Sequence, residues 1–558
     1  MSADLVIRGG TVVDGSGAPG VTADVAIDGD RIVGVGPDLA TKGARVLDAE
    51  GCVVAPGLID VHTHYDAQVF WDGALTPSCH HGVTSVVMGN CGYSIVPIAE
   101  EHVTPMVETM EQVEDMDPAC LLDGVPWDEL GSFADYRAAI ERRGTALNLT
   151  GYVGHTAVRI AAMGLDAFSR RATDDEISTM CELVDQSIEA GACGFASSFA
   201  PTHSAWQGNK VPSRSATVDE VSALCHRVGA HGHGMIEFAV GEMFSFEEIY
   251  ALQRDVGVPI TYGALIAMEG LTPELLAIHR DEQAKGSNVW PQVTPRPITF
   301  QFDVRSPFGL TQAPCFSELI GQSDDERRRR FSDARWRGRA RVDLDETMVP
   351  IQWDKTTVDE TTVHTDLVGR DLAGLASERG VHPLDILLDL SVAENLRTRF
   401  RIVLINDHDP SVRQILAADH VALSFTDAGA HVGMLCDAHM HTEVLSRWVR
   451  DEGVLTMEQA IKKMTGELAD AWQLTDRGHL RPGAFADVYV FDPETLDPGP
   501  VRRVCDFPAD TSRLVADQPS GVRHVVVNGT PITTDGQSVA ADLTTAERPG
   551  RWLVPGGN

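Results

Sequence analysis

Lysine is scarce in this chain of 558 residues, where it supplies six of the 45 basic residues. Acidic residues number 81, so the formal net charge is −36. Nucleic acids and anionic membrane surfaces are bound by clustered Lys and Arg, because these groups displace counterions. The composition therefore excludes nucleic acid and membrane as partners. It is typical of a solvated acidic surface that keeps an enzyme soluble.

Long apolar runs are also missing, and none approaches the ~18 residues that a membrane-spanning helix needs. The N-terminal residues contain no basic or strongly apolar stretch, so we expect no signal peptide. Ten cysteines are scattered from Cys52 to Cys505 without a C-x-x-C pair. Such a pattern, without a secretion signal, is typical of reduced core thiols, and we expect a cytoplasmic protein.

Both ends of the chain show short β runs separated by turn signals. Residues 5–35 alternate apolar runs with Gly- and Asp-rich turns, which is the pattern of hairpins. The same pattern returns at 487–530. We predict one small β-sandwich domain built from residues 1–55 plus 480–558.

Between these ends, short β runs alternate with helical patterns. Residues 174–190 place apolar side chains at i, i+3, i+4, i+7 and i+11, the spacing of one helix face. Repeated βα units of ~30 residues indicate a parallel sheet, and a long series of them favours a TIM-like (β/α)8 barrel. We predict this barrel over residues 56–479, with its last strand at 421–426. The other predicted strands are 83–88, 146–153, 192–198, 234–239 and 259–265.

Two helix starts are predicted from the spacing of capping boxes. Thr217 is followed three residues later by Glu220, and Ser245 by Glu248. In such a box the hydroxyl and the carboxylate each bind the other residue's backbone N–H. We expect a helix to begin after Thr217 and another after Ser245.

The alternation fails between about residues 295 and 395. This stretch has a charge run at 324–330, a basic run at 335–341 and a Thr-rich segment at 356–365. Acidic residues begin the first run, so a solvated helix face is favoured over an anion-binding patch. We interpret the stretch as an insertion that forms a lid or an oligomer contact, and we expect a homo-oligomer.

An apolar run at 56–61 ends in the sequence His62-Thr63-His64. Residues i and i+2 of a strand share a face, so both imidazoles are expected to point into the barrel mouth. Two neutral imidazoles on one ion are ordinary ligands of zinc-type sites. The pattern predicts a metal site at the C-terminal end of the first barrel strand.

Two further strand ends carry candidate ligands. Cys91 follows the run 83–88 between two glycines, and its thiolate can bind the same ion. Asp427 follows the run 421–426 and can bind the metal, accept a proton from water and pass it to a leaving group. An inert core thiol and a helix cap are the alternatives for these two residues.

These motifs resemble the amidohydrolase superfamily, and within it the N-acyl-D-amino-acid deacylase (D-aminoacylase) branch. The resemblance covers nearly the whole chain, and its most specific element is the sequence Gly-Asn-Cys-Gly at 89–92. It implies a metal-dependent amide hydrolase with a Cys ligand in place of the carboxylated Lys that bridges two metals in many relatives. The other segments that carry it are 57–66, 82–88, Gly154-His155, 426–429 and 476–487.

The low lysine content agrees with that replacement. The predicted strand at 192–198 contains no lysine, and Lys210 lies in the following loop. A carbamate-bridged site is therefore not expected. The six lysines are Lys42, Lys210, Lys285, Lys355, Lys462 and Lys463.

The chain departs from the superfamily pattern at the ends of strands five and six, where the resemblance implies one His each. Strand five carries Glu237, a candidate oxygen ligand or a polar group of the substrate pocket, and strand six carries Tyr262. The usual binuclear site is thus not supported. We expect one tightly bound ion, Zn²⁺, with iron or manganese as the alternatives.

The resemblance also implies an Arg after strand eight that holds the substrate carboxylate, but residues 433–441 contain none. Other arginines are then the candidates for contact with a substrate anion. The predicted substrate-binding residues are Tyr262, Arg159, Arg214, Arg296 and His431.

We predict a hydrolase in which metal-activated water attacks an amide carbonyl. In this mechanism His155 polarises the carbonyl and Asp427 passes the proton to the departing amine. N-acyl amino acids are the expected small-molecule substrates, with neutral N-acyl amines, anilides, cyclic amides or lactones as alternatives. A non-catalytic scaffold is the alternative from another class, since a decayed site would lack His ligands. The predicted metal ligands are His62, His64, Cys91, Asp427 and Glu237.

Overall fold

The computed structural model describes residues 3–40, 42–305, 307, 310–347 and 350–557. The chain forms two compact units. The first unit comprises Met1–Pro295, Pro410–Val432 and Cys436–Asn558, and the second comprises Arg296–Asp409 and Gly433–Leu435. The sequence-predicted boundaries of the barrel and of the small β domain stay a prediction.

The strands are short, and most lie in the first unit. In chain order they are β1 (Leu5–Val12), β2 (Val21–Asp28), β3 (Arg31–Gly36), β4 (Arg45–Asp48), β5 (Val53–Pro56), β6 (Leu58–Asp60), β7 (Val83–Met88), β8 (Asn148–Gly151), β9 (Val153–Gly154), β10 (Gly194–Ser198), β11 (Met235–Ala239), β12 (Ile260–Gly263), β13 (Val289–Val293), β14 (Ile298–Phe302), β15 (Thr357–Glu360), β16 (Arg399–Ile405), β17 (Ala422–Leu423), β18 (Val488–Phe491), β19 (Arg502–Phe507), β20 (Thr511–Val515), β21 (Val522–Val527), β22 (Thr530–Thr534) and β23 (Gln537–Ser538).

The α-helices of the described residues lie between Val103 and Ala471. They are α1 (Val103–Glu114), α2 (Pro118–Gly124), α3 (Phe133–Arg143), α4 (His155–Met163), α5 (Asp174–Glu189), α6 (Val218–His231), α7 (Phe246–Val256), α8 (Leu271–Ala284), α9 (Pro314–Ser317), α10 (Asp324–Phe331), α11 (Ala334–Asp345), α12 (Leu372–Arg379), α13 (Pro383–Ala393), α14 (Asp409–Ala417), α15 (Met440–Glu443), α16 (Met457–Met464) and α17 (Gly466–Ala471). Among the described residues, no helix has the length and apolar character needed to cross a bilayer.

Two parallel sheets carry the βα series of the first unit. One has the order β6-β7-β8 and the other the order β17-β13-β12-β11-β10-β9. All residues of β7, β10 and β11 are buried, which is the pattern of strands covered on both faces. The middle strands predicted from the sequence are confirmed. The last strand is shorter than predicted, because only Ala422 and Leu423 make ladder pairs, with β13.

The two ends of the chain join in one nine-stranded sheet. Its order is β23-β22-β21-β18-β5-β1-β2-β3, with β4 beside β1. β5 pairs antiparallel with β18, so an N-terminal strand and a C-terminal strand are direct neighbours. The predicted β-rich ends therefore share a sheet, and β19 and β20 form a separate hairpin.

A single residue separates this sheet from the first parallel strand. Gly57 lies between β5 and β6, and its N–H donates to the Asp487 carbonyl at 2.9 Å. A Cβ atom at Gly57 would lie 2.1 Å from Thr84 Oγ1, so no larger residue fits. The strand that leads into His62 is thus fixed at its start by the C-terminal part of the chain.

The two predicted helix starts are confirmed, but their side chains differ. Ser245 and Glu248 form a full capping box at α7. At α6 the Thr217 hydroxyl accepts from the Glu220 N–H, whereas the Glu220 carboxylate turns into the core. This carboxylate becomes important for the candidate site.

The second unit has its own sheet and core. The antiparallel order is β14-β16-β15, and helices α9 to α13 surround a cluster in which Trp336 lies 5.3 Å from both Phe316 and Phe331, measured between ring centroids. The charge run becomes α10, where Arg327 to Arg330 pair with Asp324, Asp325 and Glu326 on the same helix. The expected solvated helix face is therefore confirmed.

Candidate functional site

Three potential metal ligands meet where the first two parallel strands end. β6 runs into His62 and His64, whose Nε2 atoms lie 3.3 Å apart. Cys91 follows β7, and its Sγ lies 3.6 Å from His62 Nε2. One ligand atom from each of the three lies within 4.8 Å of the others. They converge because neighbouring parallel strands end at the same edge of the sheet.

Asp427 completes the cluster after the last parallel strand. Its Oδ1 lies 3.0 Å from His62 Nε2 and 3.5 Å from His64 Nε2. Its side chain is 19% exposed, whereas both imidazoles are buried. Burial alone raises a carboxyl pKa, but the hydrogen bonds from His62 and His64 outweigh it and hold the pKa of Asp427 well below its usual range. Asp427 is therefore an ionised group that a substrate can reach.

Among the described residues, a hydrogen bond holds the Nδ1 atom of His62 but not that of His64. His62 Nδ1 lies 2.5 Å from Gln292 Oε1 on β13, and His64 Nδ1 lies 3.3 Å from Glu114 Oε1 at the end of α1. An acceptor at Nδ1 favours the tautomer in which Nε2 is free to bind a metal. Neither residue was predicted from the sequence. Gln292 lies within β13, and no sequence motif marks either Gln292 or Glu114.

These contacts separate the pKa values of the two imidazoles. Burial lowers the pKa of each, because it disfavours the charged ring. At His62 the hydrogen bond and charge of Asp427, with the charge of Glu237, outweigh burial and raise the pKa. At His64 burial dominates and lowers the pKa to about 4. His64 is therefore neutral at pH 7, the form that a metal requires.

Glu237 lies on β11 beside the thiol. Its Oε2 accepts a 2.8 Å hydrogen bond from the Cys91 N–H. Its Oε1 is buried and, within the described part of the chain, has no hydrogen-bond partner. Burial raises the pKa of this carboxyl to about 7. An unsatisfied buried acceptor costs about 1–3 kcal/mol, and a cation at the cluster would satisfy it. The two imidazoles and the thiol thus fit a divalent transition metal, and the carboxylates of Asp427 and Glu237 lie beside them.

Unusual backbone conformations concentrate at the cluster. Cys91, Asp427 and His431 have φ values of 55°, 51° and 48°, in the left-handed region. Gly92 has φ 74°, and a Cβ atom there would lie 2.9 Å from the Ala196 carbonyl oxygen. Such conformations cost about 1–3 kcal/mol at non-glycine residues and are typical of functional sites. The last glycine of the Gly-Asn-Cys-Gly sequence is therefore required, because a side chain at Gly92 would collide with the neighbouring strand.

His155 and Arg159 are engaged by residues outside the cluster. His155 Nε2 lies 2.9 Å from Glu220 Oε1, and its Nδ1 lies 2.8 Å from Ser197 Oγ. Neither ring nitrogen is left to polarise a substrate carbonyl. Arg159 is fully buried and pairs with the same Glu220 carboxylate. The predicted roles of both residues are corrected, because a buried carboxylate on α6 engages them.

Tyr262 also faces away from the cluster. It packs against Phe246 and Tyr250 of α7, with ring centroids 5.4 and 6.5 Å away. Alternate residues of a strand point to opposite faces, so the next residue, Gly263, faces the cluster instead. A Cβ atom at Gly263 would lie 3.3 Å from His62 Cε1. The predicted substrate contact of Tyr262 is thus corrected to a core position.

The other predicted substrate contacts stay predictions. The His431 N–H donates to the Glu114 carbonyl at 2.5 Å, close to His64. Arg214 Nη1 donates to the carbonyls of Pro201 and His203 at 3.1 and 3.0 Å. Arg296 belongs to the second unit, where its carbonyl accepts a 2.6 Å hydrogen bond from the Asn406 side chain.

A histidine that the sequence analysis missed follows β10. His203 Nδ1 lies 2.8 Å from Tyr93 OH and 2.7 Å from Ser198 Oγ. Tyr93 lies two residues after Cys91, and Ser198 ends β10. The position just after a parallel strand was the signal that could have identified it.

Comparison with known proteins places these features in a family. A sequence profile of the amidohydrolase family matches residues 45–269 and 347–533. The chain belongs to this family. It is 30% identical to N-acyl-D-aspartate deacylase of Alcaligenes xylosoxydans xylosoxydans, over 99% of this chain and 95% of that protein. It is 29% identical to D-aminoacylase of the same organism, over 95% and 94% of the two chains.

Solved structures agree with this assignment. A crystal structure of D-aminoacylase, 27% identical in sequence, has a TM-score of 0.68 over 99% of this chain and 100% of that chain. A second D-aminoacylase structure, from work on its binuclear metal centre, is 28% identical and has a TM-score of 0.67 over the same shares. The resemblance stated from the sequence motifs is thereby confirmed.

Proposed function

We propose that this amidohydrolase uses a divalent metal to cleave the C–N amide bond of N-acyl amino acids, as a D-aminoacylase-like deacylase. One observation carries the proposal: the partly exposed carboxylate of Asp427 lies within 3.5 Å of the Nε2 atoms of both His62 and His64. A proton acceptor thus lies at the metal-binding atoms, as amide hydrolysis requires. The deacylase names of the two relatives from Alcaligenes support the substrate class.

We also propose that the two parallel sheets are parts of one closed (β/α)8 barrel. Taking β8 and β9 as one strand, the sheets contain eight parallel strands. The Tyr152 N–H donates to the Met88 carbonyl at 3.0 Å, which links β7 to the start of β9. On the other side, an isolated parallel bridge pairs Thr63 with Ala428. These contacts support closure between β6 and β17.

The donor set supports one tightly bound ion, with zinc as the proposed metal. His62, His64, Cys91, Asp427 and Glu237 would hold it, and soft thiolate with imidazole favours zinc over magnesium or calcium. A second ion of the kind implied by the name of the D-aminoacylase structure is not supported here. The fifth and sixth barrel strands, β11 and β12, carry Glu237 and Gly263 at the positions of the two histidines. No side chain fits at Gly263, because its Cβ would lie 2.9 Å from the Phe425 ring.

The protein's own residues then divide the work of hydrolysis. The metal, when bound, supplies Lewis acidity to a water molecule and to the amide carbonyl. Asp427 is ionised, so it can take the proton from the attacking water. It returns this proton to the amine nitrogen as the C–N bond breaks, which yields a free amine and a carboxylic acid that then releases its own proton to solvent. Gln292 orients the His62 imidazole by its hydrogen bond to Nδ1, and the Glu114 carboxyl lies beside His64.

The remaining parts of the proposal concern organisation. We propose a small β domain of residues 1–55 plus 480–558, a barrel of residues 56–479 with an insertion at about 295–395, and a cytoplasmic homo-oligomer. The division of the chain at Pro295 supports the start of the insertion. Light scattering of the purified protein tests the oligomeric state directly.

The test of function compares matched substrates and metal states. Acetate release is measured from N-acetyl-D-amino acids, their L enantiomers, and neutral N-acetyl amines or anilides, before and after chelation. We expect turnover of the D-amino acid derivatives that chelation abolishes and added zinc restores. Turnover restricted to neutral amides or cyclic substrates would favour the alternative class. A chain that takes up no metal and hydrolyses none of these would be a scaffold.

A further inference from the structure

The loop between β10 and α6 presents His203 in a fixed position. Ser213 Oγ donates to the Ser198 carbonyl at 2.8 Å, which ties the far end of the loop to β10. Arg214 Nη1 donates to the carbonyls of Pro201 and His203 at 3.1 and 3.0 Å. The backbone of His203 is therefore held by the guanidinium of the same loop.

The imidazole of His203 has one engaged nitrogen and one open nitrogen. Nδ1 contacts Tyr93 OH and Ser198 Oγ, and the Tyr93 ring meets the imidazole edge-on at a centroid distance of 5.3 Å. A phenol is a strong donor, so Nδ1 accepts from Tyr93 and the ring proton lies on Nε2. No described residue forms a hydrogen bond with Nε2, and the side chain is half-buried. Nε2–H is thus a donor available to a ligand.

His203 lies in the electrostatic neighbourhood of the metal cluster. Burial, followed by the charges of His431 and His64, lowers the pKa of His203 to about 3, and Asp427 partly opposes them. The ring is therefore neutral at pH 7 and serves as a hydrogen-bond donor, not as a cation. Its partners Tyr93 and Ser198 lie two residues after Cys91 and at the end of β10, on the edge of the parallel strands that carries the cluster.

Arg214 supplies the positive charge that His203 lacks. Its charge acts on both Tyr93 and His203. Nη1 is engaged with two carbonyls, but Nε and Nη2 have no acceptor within the described part of the chain. The side chain is half-buried. In contrast, the charge of Arg159 is neutralised by Glu220.

We propose that His203 Nε2–H and the Arg214 guanidinium form a subsite for the carboxylate of an N-acyl amino acid. The proposal rests on the proposed function and names the residues that recognise the acid end of its substrate. A neutral donor and a cation on one loop suit a carboxylate, whose two oxygens accept both kinds of hydrogen bond. The subsite also explains how the chain can bind an anion although residues 433–441 contain no Arg.

The test uses an N-acetyl-D-amino acid and its C-terminal amide, which differ only in the carboxylate. The variants are His203→Phe, which keeps a ring beside Tyr93, and Arg214→Gln. We expect each to lower the ratio of kcat/KM for the acid to kcat/KM for the amide by about tenfold or more. Arg214→Lys keeps a charge and should restore part of the ratio. His226→Gln, a change at an exposed residue that pairs with Asp255 at 3.2 Å, is the control.

A binding measurement separates this proposal from the proposed function. Asp427→Asn protein is titrated calorimetrically with the same acid and amide, with and without His203→Phe. Preferential binding of the acid that depends on His203 supports the subsite, even if the wild-type enzyme turns over neither compound. Equal binding of acid and amide, or an unchanged acid-to-amide ratio in both variants, overturns it. An equal loss for both compounds also overturns it, because that result indicates a merely structural loop.

Discussion

Gln292 Oε1 lies 2.5 Å from His62 Nδ1, although the two residues are 230 positions apart in the sequence. Both side chains are fully buried, so no water replaces the contact if it is lost. The amide oxygen therefore determines which nitrogen of His62 carries the proton. This makes the last strand before the second unit a determinant of metal affinity.

We expect Gln292→Leu to weaken metal affinity by about 10–100-fold, the usual effect of losing an outer partner of a ligand histidine. Gln292→Glu keeps an acceptor at the same position and should retain most of the affinity. Competition with a chromophoric chelator measures both. Equal affinity of the Leu variant and wild type would contradict this role for Gln292.

Asp427→Asn should lower kcat by about 10²–10⁴-fold, the usual contribution of a general base. The amide remains a possible oxygen ligand, so we expect the variant to retain its metal. Metal analysis and acetate release are measured on the same preparation. The control is Asp175→Asn, at an exposed residue in the first turn of α5. Full activity of the Asn variant would remove Asp427 from the mechanism.

Cys91→Ser should reduce the affinity for zinc more than the affinity for manganese, because a thiolate is a softer ligand than an alcohol. Burial raises the pKa of the Cys91 thiol well above its usual range, so without a cation this residue stays protonated. Cobalt substitution provides the readout. A thiolate-to-cobalt charge-transfer band should be present in wild type and absent in the Ser variant. If the band is absent from both, Cys91 is an inert thiol.

Gly92→Ala should destabilise the first unit by about 1–3 kcal/mol, since the residue has φ 74° and its Cβ would approach the Ala196 carbonyl oxygen to 2.9 Å. Gly338→Ala is the matched control in α11. Its Cβ meets no atom within 4 Å, and the helix gains from the change. Thermal melting compares the two variants. Similar stability of both would mean that the backbone around Cys91 relaxes freely.

The second unit offers a prediction about pH. Glu394 accepts hydrogen bonds from Thr361, Thr362 and Thr398 at 2.5–2.8 Å. Burial alone raises its pKa, but these hydrogen bonds outweigh it and lower the pKa to about 2. A depressed carboxyl pKa contributes stability that is present above the ordinary value near 4.5 and is lost as the pH falls toward 2.

We therefore expect Glu394→Gln to reduce stability at pH 7 by about 1–3 kcal/mol and to flatten the loss of stability in acid. Glu318→Gln is the control, because its ion pair with Arg339 is about half exposed and contributes little. Denaturant unfolding at pH 7 and at pH 3 measures both variants. An unchanged acid dependence in Glu394→Gln would place the stabilising charge elsewhere.

Local patterns were enough to predict most of the fold and the centre of the site. The short apolar runs predicted β7, β10, β11 and β12, because burial on both faces favours near-continuous apolar runs. His62, His64, Cys91 and Asp427 were predicted because each follows a parallel strand. Their convergence needs only the rule that such strands end at a common edge.

The errors have a different physical origin. Tyr262 was assigned to the site because it ends a strand, but which face it occupies depends on a one-residue register that short runs do not specify. His155 and Arg159 were misassigned because their partner, Glu220, resembled a capping residue. Glu114 was missed because its contact with His64 is set by tertiary packing of α1, not by a local motif.

The pairing of β5 with β18 has a consequence for the order of events during synthesis. β5, which Gly57 joins to the strand β6 that runs into the histidine pair, leaves the ribosome early, but its neighbour β18, residues 488–491, is made near the end of translation. Until then β5 has an unpaired edge, and Gly57 lacks the carbonyl of Asp487. Completion of this sheet is thus a late step of synthesis, and until then nascent chains carry an unpaired strand edge that is prone to aggregation.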